Sequence, residues 1–159
     1  MKICPFTPVK PVRTIHFNLL RSKIFVRSSG MRDEVKNKAA SLALEKSFAF
    51  ALRIVKLYQH LSDKKKEFVL SKQILRSGTS IGANLEESRG AQSPSDFQAK
   101  ISIAYKESRE TSYWLRLLYA SKYLTERQFN SLHSDCEELI RILGATQLTM
   151  KTKIQKERK

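Results

Sequence analysis

Apolar positions recur every three or four residues through most of this 159-residue chain, the period of an α-helix with one buried face. Four segments carry the pattern. In the first, Leu44, Phe48, Ala51, Val55 and Leu61 lie near one stripe, predicting a helix over about 33–61. Asp33 and Glu34 sit at the positive end of its dipole, and a polar turn with three consecutive lysines follows at 62–66. The second stripe, Leu70, Ile74, Ser77, Ile81 and Leu85, predicts a helix over about 67–89 that Gly90 is placed to stop.

The third and fourth segments announce their own starts. Ser93, Pro94 and Asp96 form a helix-initiating cap. Phe97, Ile101, Ala104, Ser108, Thr111, Leu115 and Leu118 then alternate spacings of four and three, a heptad-like seam over about 94–123. Thr125 and Gln128 make a second capping box. Phe129, Leu132, Cys136, Leu139 and Leu143 carry the fourth helix over about 126–150, with Gly144 a possible fraying point. No strand-type alternation competes, so the expectation is an all-α, antiparallel up-down four-helix bundle.

The second helix contains an oddity. From Ser77 to Ala83 every residue but Ile81 is small, and Gly78 and Gly82 each cost about 1 kcal/mol relative to Ala in a helix interior. Close approach of the backbone to another helix would offset that cost. A break near 77–80 is the alternative, but the apolar stripe keeps its phase through both glycines.

Charge changes the picture next. The net charge is +15 and is concentrated at the ends: residues 1–30 hold six bases and no acid, and the 151–159 tail five bases and one acid. Basic arms on a mildly basic core favour polyanions such as RNA or DNA, although solubility alone explains such charge equally well. The acid-free 1–30 stretch, with three prolines, is expected to be poorly ordered. It superficially resembles a transit peptide, but Met31, where the helical pattern begins, is the expected true start. Cys4 and Cys136 make no disulfide framework, and no apolar run reaches the roughly 18 residues of a membrane span. The chain reads as cytoplasmic.

Familiar chemistries fit poorly. A carboxylate-bridged metal pair in a bundle needs Glu-x-x-His motifs, and no glutamate stands three residues before His16, His60 or His133. Glu107 and Glu110 have cation-binding spacing, but Lys106 and Arg109 beside them favour an ion-pair lattice. Ser77 and Ser80 have no identifiable base, and the 78–82 stretch lacks the ending of a phosphate-binding loop. Trp114, with Tyr113 and Tyr119, can stack on bases; a core or interface anchor is the favoured reading. Arg76, Asn84 and Glu86 on the second helix and Lys100, Glu107 and Glu110 on the third border the apolar seams, where a paired network would specify register. Exposed pairs such as Lys106–Glu110 are the plainer option.

Residues 47–51, 73–84, 95–97 and 106–111 (SFAFA, QILRSGTSIGAN, SDF and KESRET) resemble the family of 23S rRNA intervening-sequence proteins over roughly residues 35–150. The resemblance implies a bacterial four-helix bundle assembling into a ring, a homopentamer, and supplies no catalytic residues; the motifs themselves lead to no expected metal or cofactor. It places Arg76, Ser80, Asn84, Glu86, Asp96, Phe97, Lys100, Glu107 and Glu110 on the family's motif positions. It also explains the small-residue stretch, Gly78 and Gly82 included, as a place where bundles meet. The function it suggests is a non-enzymatic accessory protein that binds nucleic acid, with Lys72, Arg76, Arg89, Arg109, Arg116, Lys151 and Lys153 as expected contacts. A related branch, the accessory variability proteins of diversity-generating retroelements, offers the alternative of a module that docks a reverse transcriptase or a ribosomal partner.

Overall fold

A computed structural model of the chain describes residues 30–157, all of whose elements are helical: α1 (Gly30–Lys65), α2 (Leu70–Ser88), α3 (Pro94–Ala120) and α4 (Glu126–Glu157). The expectations about the first 29 residues and about the side chain of Lys153 lie outside what is described. Each helix has two neighbours: α2 packs on α1 and α3, and α4 on α3 and α1. Between them lies one apolar core that includes Phe50, Ile54, Leu57, Ile74, Ile81, Leu115, Leu118, Leu132, Leu139 and Leu143. Each such side chain contributes about 1.5–3 kcal/mol on full burial.

The expected stripe of α1 is corrected by one residue. The inward positions are Ala43, Ser47, Phe50, Ile54, Leu57 and Leu61, at spacings of four, three, four, three and four, whereas Phe48 is 65% exposed. Both phases of this helix are apolar, so periodicity alone does not choose between them. Packing on α2 and α4 selects the phase that carries Phe50, Ile54 and Leu57.

The helix ends follow local chemistry. α1 runs on to Lys65, and Lys66 turns the chain in the left-handed region (φ 54°). Glu67 lies outside α2 and caps it: its carboxylate accepts from the amides of Val69 (2.9 Å), Leu70 (2.8 Å) and Ser71 (2.6 Å). Burial works against ionisation of Glu67, but these amides, with the Ser71 hydroxyl, outweigh it and hold the pKa below the ordinary value. Ser93 accepts from the Asp96 amide at 3.1 Å and starts α3. That helix stops at Ala120, short of Tyr123, because Lys122 adopts a left-handed φ of 61°. Thr125 and Gln128 exchange reciprocal side chain–backbone bonds at the head of α4. α4 continues through Gly144, whose side faces the Tyr105 ring, and carries the basic tail as helix to Glu157.

α2 is unbroken through its glycines, and the close approach they allow is to α1 of the same chain. A Cβ at Gly78 would lie 2.8 and 2.9 Å from the γ-carbons of Ile54. At Gly82 the nearest atom is Ser47 Oγ, 3.5 Å away. Four buried serine hydroxyls are satisfied close to home: Ser47, Ser71, Ser88 and Ser108 each donate to a carbonyl three or four residues back. Thr111 does the same and also shares a 3.0 Å hydrogen bond with Ser77 across the α2–α3 seam. Among the described residues no helix is long and apolar enough to cross a membrane.

Candidate nucleic-acid interface

The core-facing residues of α3 are Ile101, Ala104, Ser108, Thr111, Leu115 and Leu118. Directly opposite them lie Lys106, Arg109, Tyr113 and Arg116, all exposed. Spacings of three, four and three keep these four within roughly an 80° arc at 3.6 residues per turn. Tyr113 is 49% exposed and meets Trp114 edge-on, with ring centroids 5.0 Å apart. Trp114 is half-buried and anchored, since its Nε1 donates to Glu110 Oε1 at 3.1 Å. Tyr119 stacks on Phe129 at 4.6 Å, and Phe129 on His133 at 4.8 Å, which closes the α4 side of the stripe.

Neighbouring carboxylates do not neutralise this stripe. Glu110 is held by Arg76 Nη2 of α2 at 2.5 Å as well as by Trp114. On the other flank, Glu137 accepts from Ser112 Oγ at 3.1 Å and lies 3.5 Å from His133 Nε2. Among the described residues, neither Lys106, Arg109 nor Arg116 forms an ion pair.

The polar set expected to form one network falls into separate parts. Arg76, Glu110 and Trp114 bridge α2 and α3. Lys100 pairs with Glu87 rather than Glu86, and the lysine's pKa is raised by that hydrogen bond and charge. Glu86 instead pairs with Arg89, the residue just past the end of α2, at 2.8 Å. Asn84 only returns a bond to the Ser80 carbonyl at 2.9 Å. Glu107 is partly buried and its Oε2 has no hydrogen-bond partner. Burial first, then the neighbouring Glu110, raises its pKa, while Arg76 opposes the shift. Of the expected cationic contacts, Arg76 and Arg89 are therefore already paired, whereas Lys72, Arg109, Arg116 and Lys151 stand exposed and, among the described residues, outside the ion pairs. Lys106 and Tyr113 complete the stripe. The signal for them is in the sequence, as the complement of the α3 seam.

Two further clusters bear on chemistry. Arg53, only 3% exposed, pairs with Asp135 and donates to Ser131 Oγ at 2.7 Å, tying α1 to α4. Ser112 Oγ lies 3.2 Å from His133 Nε2, but Glu137 sits on that same ring nitrogen. A serine–histidine–carboxylate nucleophile needs the carboxylate on the far nitrogen, leaving the near one to take the serine proton. Here the serine proton goes to Glu137. Burial, and then Glu137, pushes the Cys136 thiol up to about 12, against the pull of Arg109, which leaves it an unreactive core residue. Among the described residues no group of three His, Cys, Asp or Glu is placed to hold a metal.

A shallow apolar groove runs between α1 and α2, lined by Leu44, Phe48, Ala51, Thr79, Gly82 and Ala83, with Glu45 and Glu86 at its margin.

The family model for the 23S rRNA-intervening sequence protein matches residues 40–145, from within α1 to within α4. A solved crystal structure of a protein of unknown function from the S23 ribosomal protein family of Bacteroides thetaiotaomicron is similar to the chain. It shares 49% identity over 68% of this chain and 96% of its own, with a TM-score of 0.67. A comparison with curated proteins finds no match. The matched span contains the α1–α2 glycine contact, the whole of α3 and the stripe upon it, and this chain therefore belongs to the 23S rRNA-intervening sequence protein family.

Proposed function

We propose that this protein binds nucleic acid through the outward face of α3, as a cytoplasmic accessory factor without turnover. The observation that carries the reading is Lys106, Arg109, Tyr113 and Arg116 on one exposed line, with the three cations outside the ion pairs among the described residues. Unpaired cations next to an exposed aromatic suit phosphates and bases, whereas paired ones, as at Arg76 and Arg89, are already compensated. The net charge of +15 supports the same partner class, and Lys72 and Lys151 extend the basic surface. A ribosomal-RNA-linked family name agrees with it.

The assembly we propose is an antiparallel up-down bundle that packs side by side into a ring, with five copies as the expected number. Pairing of Arg76 with Glu110 and of Glu87 with Lys100 runs in opposite sense along α2 and α3, which supports the antiparallel arrangement. The groove around Phe48 supplies an apolar surface for a second copy.

Fluorescence anisotropy with a labelled RNA tests the binding. Each lost phosphate contact reduces the salt slope by about 0.7–0.9. Arg109→Ala with Arg116→Ala should therefore weaken binding and flatten the slope by about 1.5. An affinity indifferent to salt would reject the proposal.

A further inference from the structure

We infer that the α3 stripe takes unpaired nucleotides, with the Tyr113 ring stacking on a base and Arg109 and Arg116 holding the phosphates on either side. The inference rests on the nucleic-acid reading above and narrows it to single strands. Shape comes first: α3 packs on α2 and α4, which α1 joins on the far side, so its outward face is a convex crest that encloses nothing and leaves the Tyr113 ring open to a base laid on it.

The chemistry of the crest agrees. A half-exposed aromatic ring has nothing to stack on in a closed duplex, where base faces are hidden, but it is the platform that single-stranded binders use. Tyr113 is 49% exposed and its side is braced edge-on by Trp114, which Glu110 pins in turn. A braced ring loses little freedom on binding. Arg109 and Arg116 lie one turn to either side of it, about 10 Å apart along the axis, a span that suits a few nucleotides.

The test uses the full chain and two labelled RNAs of one sequence, a single strand of about 12 nucleotides and the same strand annealed to its complement. The single strand should bind at least tenfold more tightly than the duplex. Tyr113→Ala should lose about tenfold on the single strand and nothing on the duplex, while Tyr113→Phe keeps the affinity. Trp114 is the sole tryptophan and touches Tyr113, so its emission should change with the single strand and not with the duplex. Equal affinity for both RNAs, with Tyr113→Ala without effect, overturns the inference and leaves nucleic-acid binding standing. Failure to bind either RNA removes the underlying reading and the inference with it.

Discussion

Gly78 and Gly82 sit four residues apart on α2 and look interchangeable in the sequence, yet alanine should stabilise at Gly82 and not at Gly78. Either substitution gains the helix-interior preference of Ala over Gly, about 1 kcal/mol. At Gly82 the new methyl would stand 3.5–3.7 Å from Ser47, ordinary van der Waals contact, so the gain survives and G82A should stabilise by about 0.5–1 kcal/mol. At Gly78 the methyl would meet Ile54 Cγ1, Cγ2 and Cβ at 2.8, 2.9 and 3.3 Å. Those atoms are the branch point of a fully buried, β-branched side chain, which is stiff and has nowhere to turn. Overpacking of this kind costs about 1–3 kcal/mol, so G78A should come out neutral to about 2 kcal/mol destabilising. Urea denaturation followed by circular dichroism, at one fixed protein concentration, reads the difference as a raised midpoint for G82A and an unchanged or lowered one for G78A, at equal slope. A cycle with Ile54→Ala identifies the cause: removing the γ-carbons should let the Gly78→Ala methyl fit, with a favourable coupling of about 1–3 kcal/mol. A G78A midpoint raised as far as that of G82A, or additive behaviour in the cycle, would refute the packing argument.

Glu67→Ala should destabilise by about 1–2 kcal/mol through loss of the α2 cap. Because the folded pKa of Glu67 is lowered, its contribution is complete above the ordinary carboxylate value of about 4.3 and is lost as pH falls through the folded value; wild type minus variant stability should therefore converge in acid. Arg53→Ala should cost about 1–3 kcal/mol, since it removes a buried guanidinium that hydrogen-bonds Ser131 and pairs with the 43%-exposed Asp135 across α1 and α4, and thermal melts would show it. With Cys4 replaced by serine, Cys136 should resist a thiol reagent at pH 8 until denaturant is added, as its burial and a thiol pKa of about 12 require; prompt native labelling would contradict the core placement. Phe48→Asp should leave the fold intact, because that side chain is 65% exposed, but reduce the mass seen by analytical ultracentrifugation if the groove joins copies.

How legible each helix is depends on how many apolar phases it offers. α3 has one, so Ile101 to Leu118 reads without error, and its outward complement follows from the same count. α1 has two adjacent phases, and only packing on α2 and α4 excludes the one containing Phe48. Glu67 reads as the first residue of a helix because its spacing permits that, whereas the left-handed turn at Lys66 converts it into a cap. Arg76, Arg89, Arg109 and Arg116 look alike as letters. Which two are already compensated depends on carboxylates brought within reach by folding, one of them 34 residues away.

The helical periods, the caps at Ser93 and Thr125 and the basic balance are local or summed properties, so the order of residues alone determined them. Which face of α1 turns inward, that Gly78 presses on Ile54, and that the α3 cations pair with none of the described residues were decided by the tertiary structure. The reason is that steric overlap and charge pairing depend on distances of a few ångströms between residues far apart in the chain, and only the packed helices set those distances.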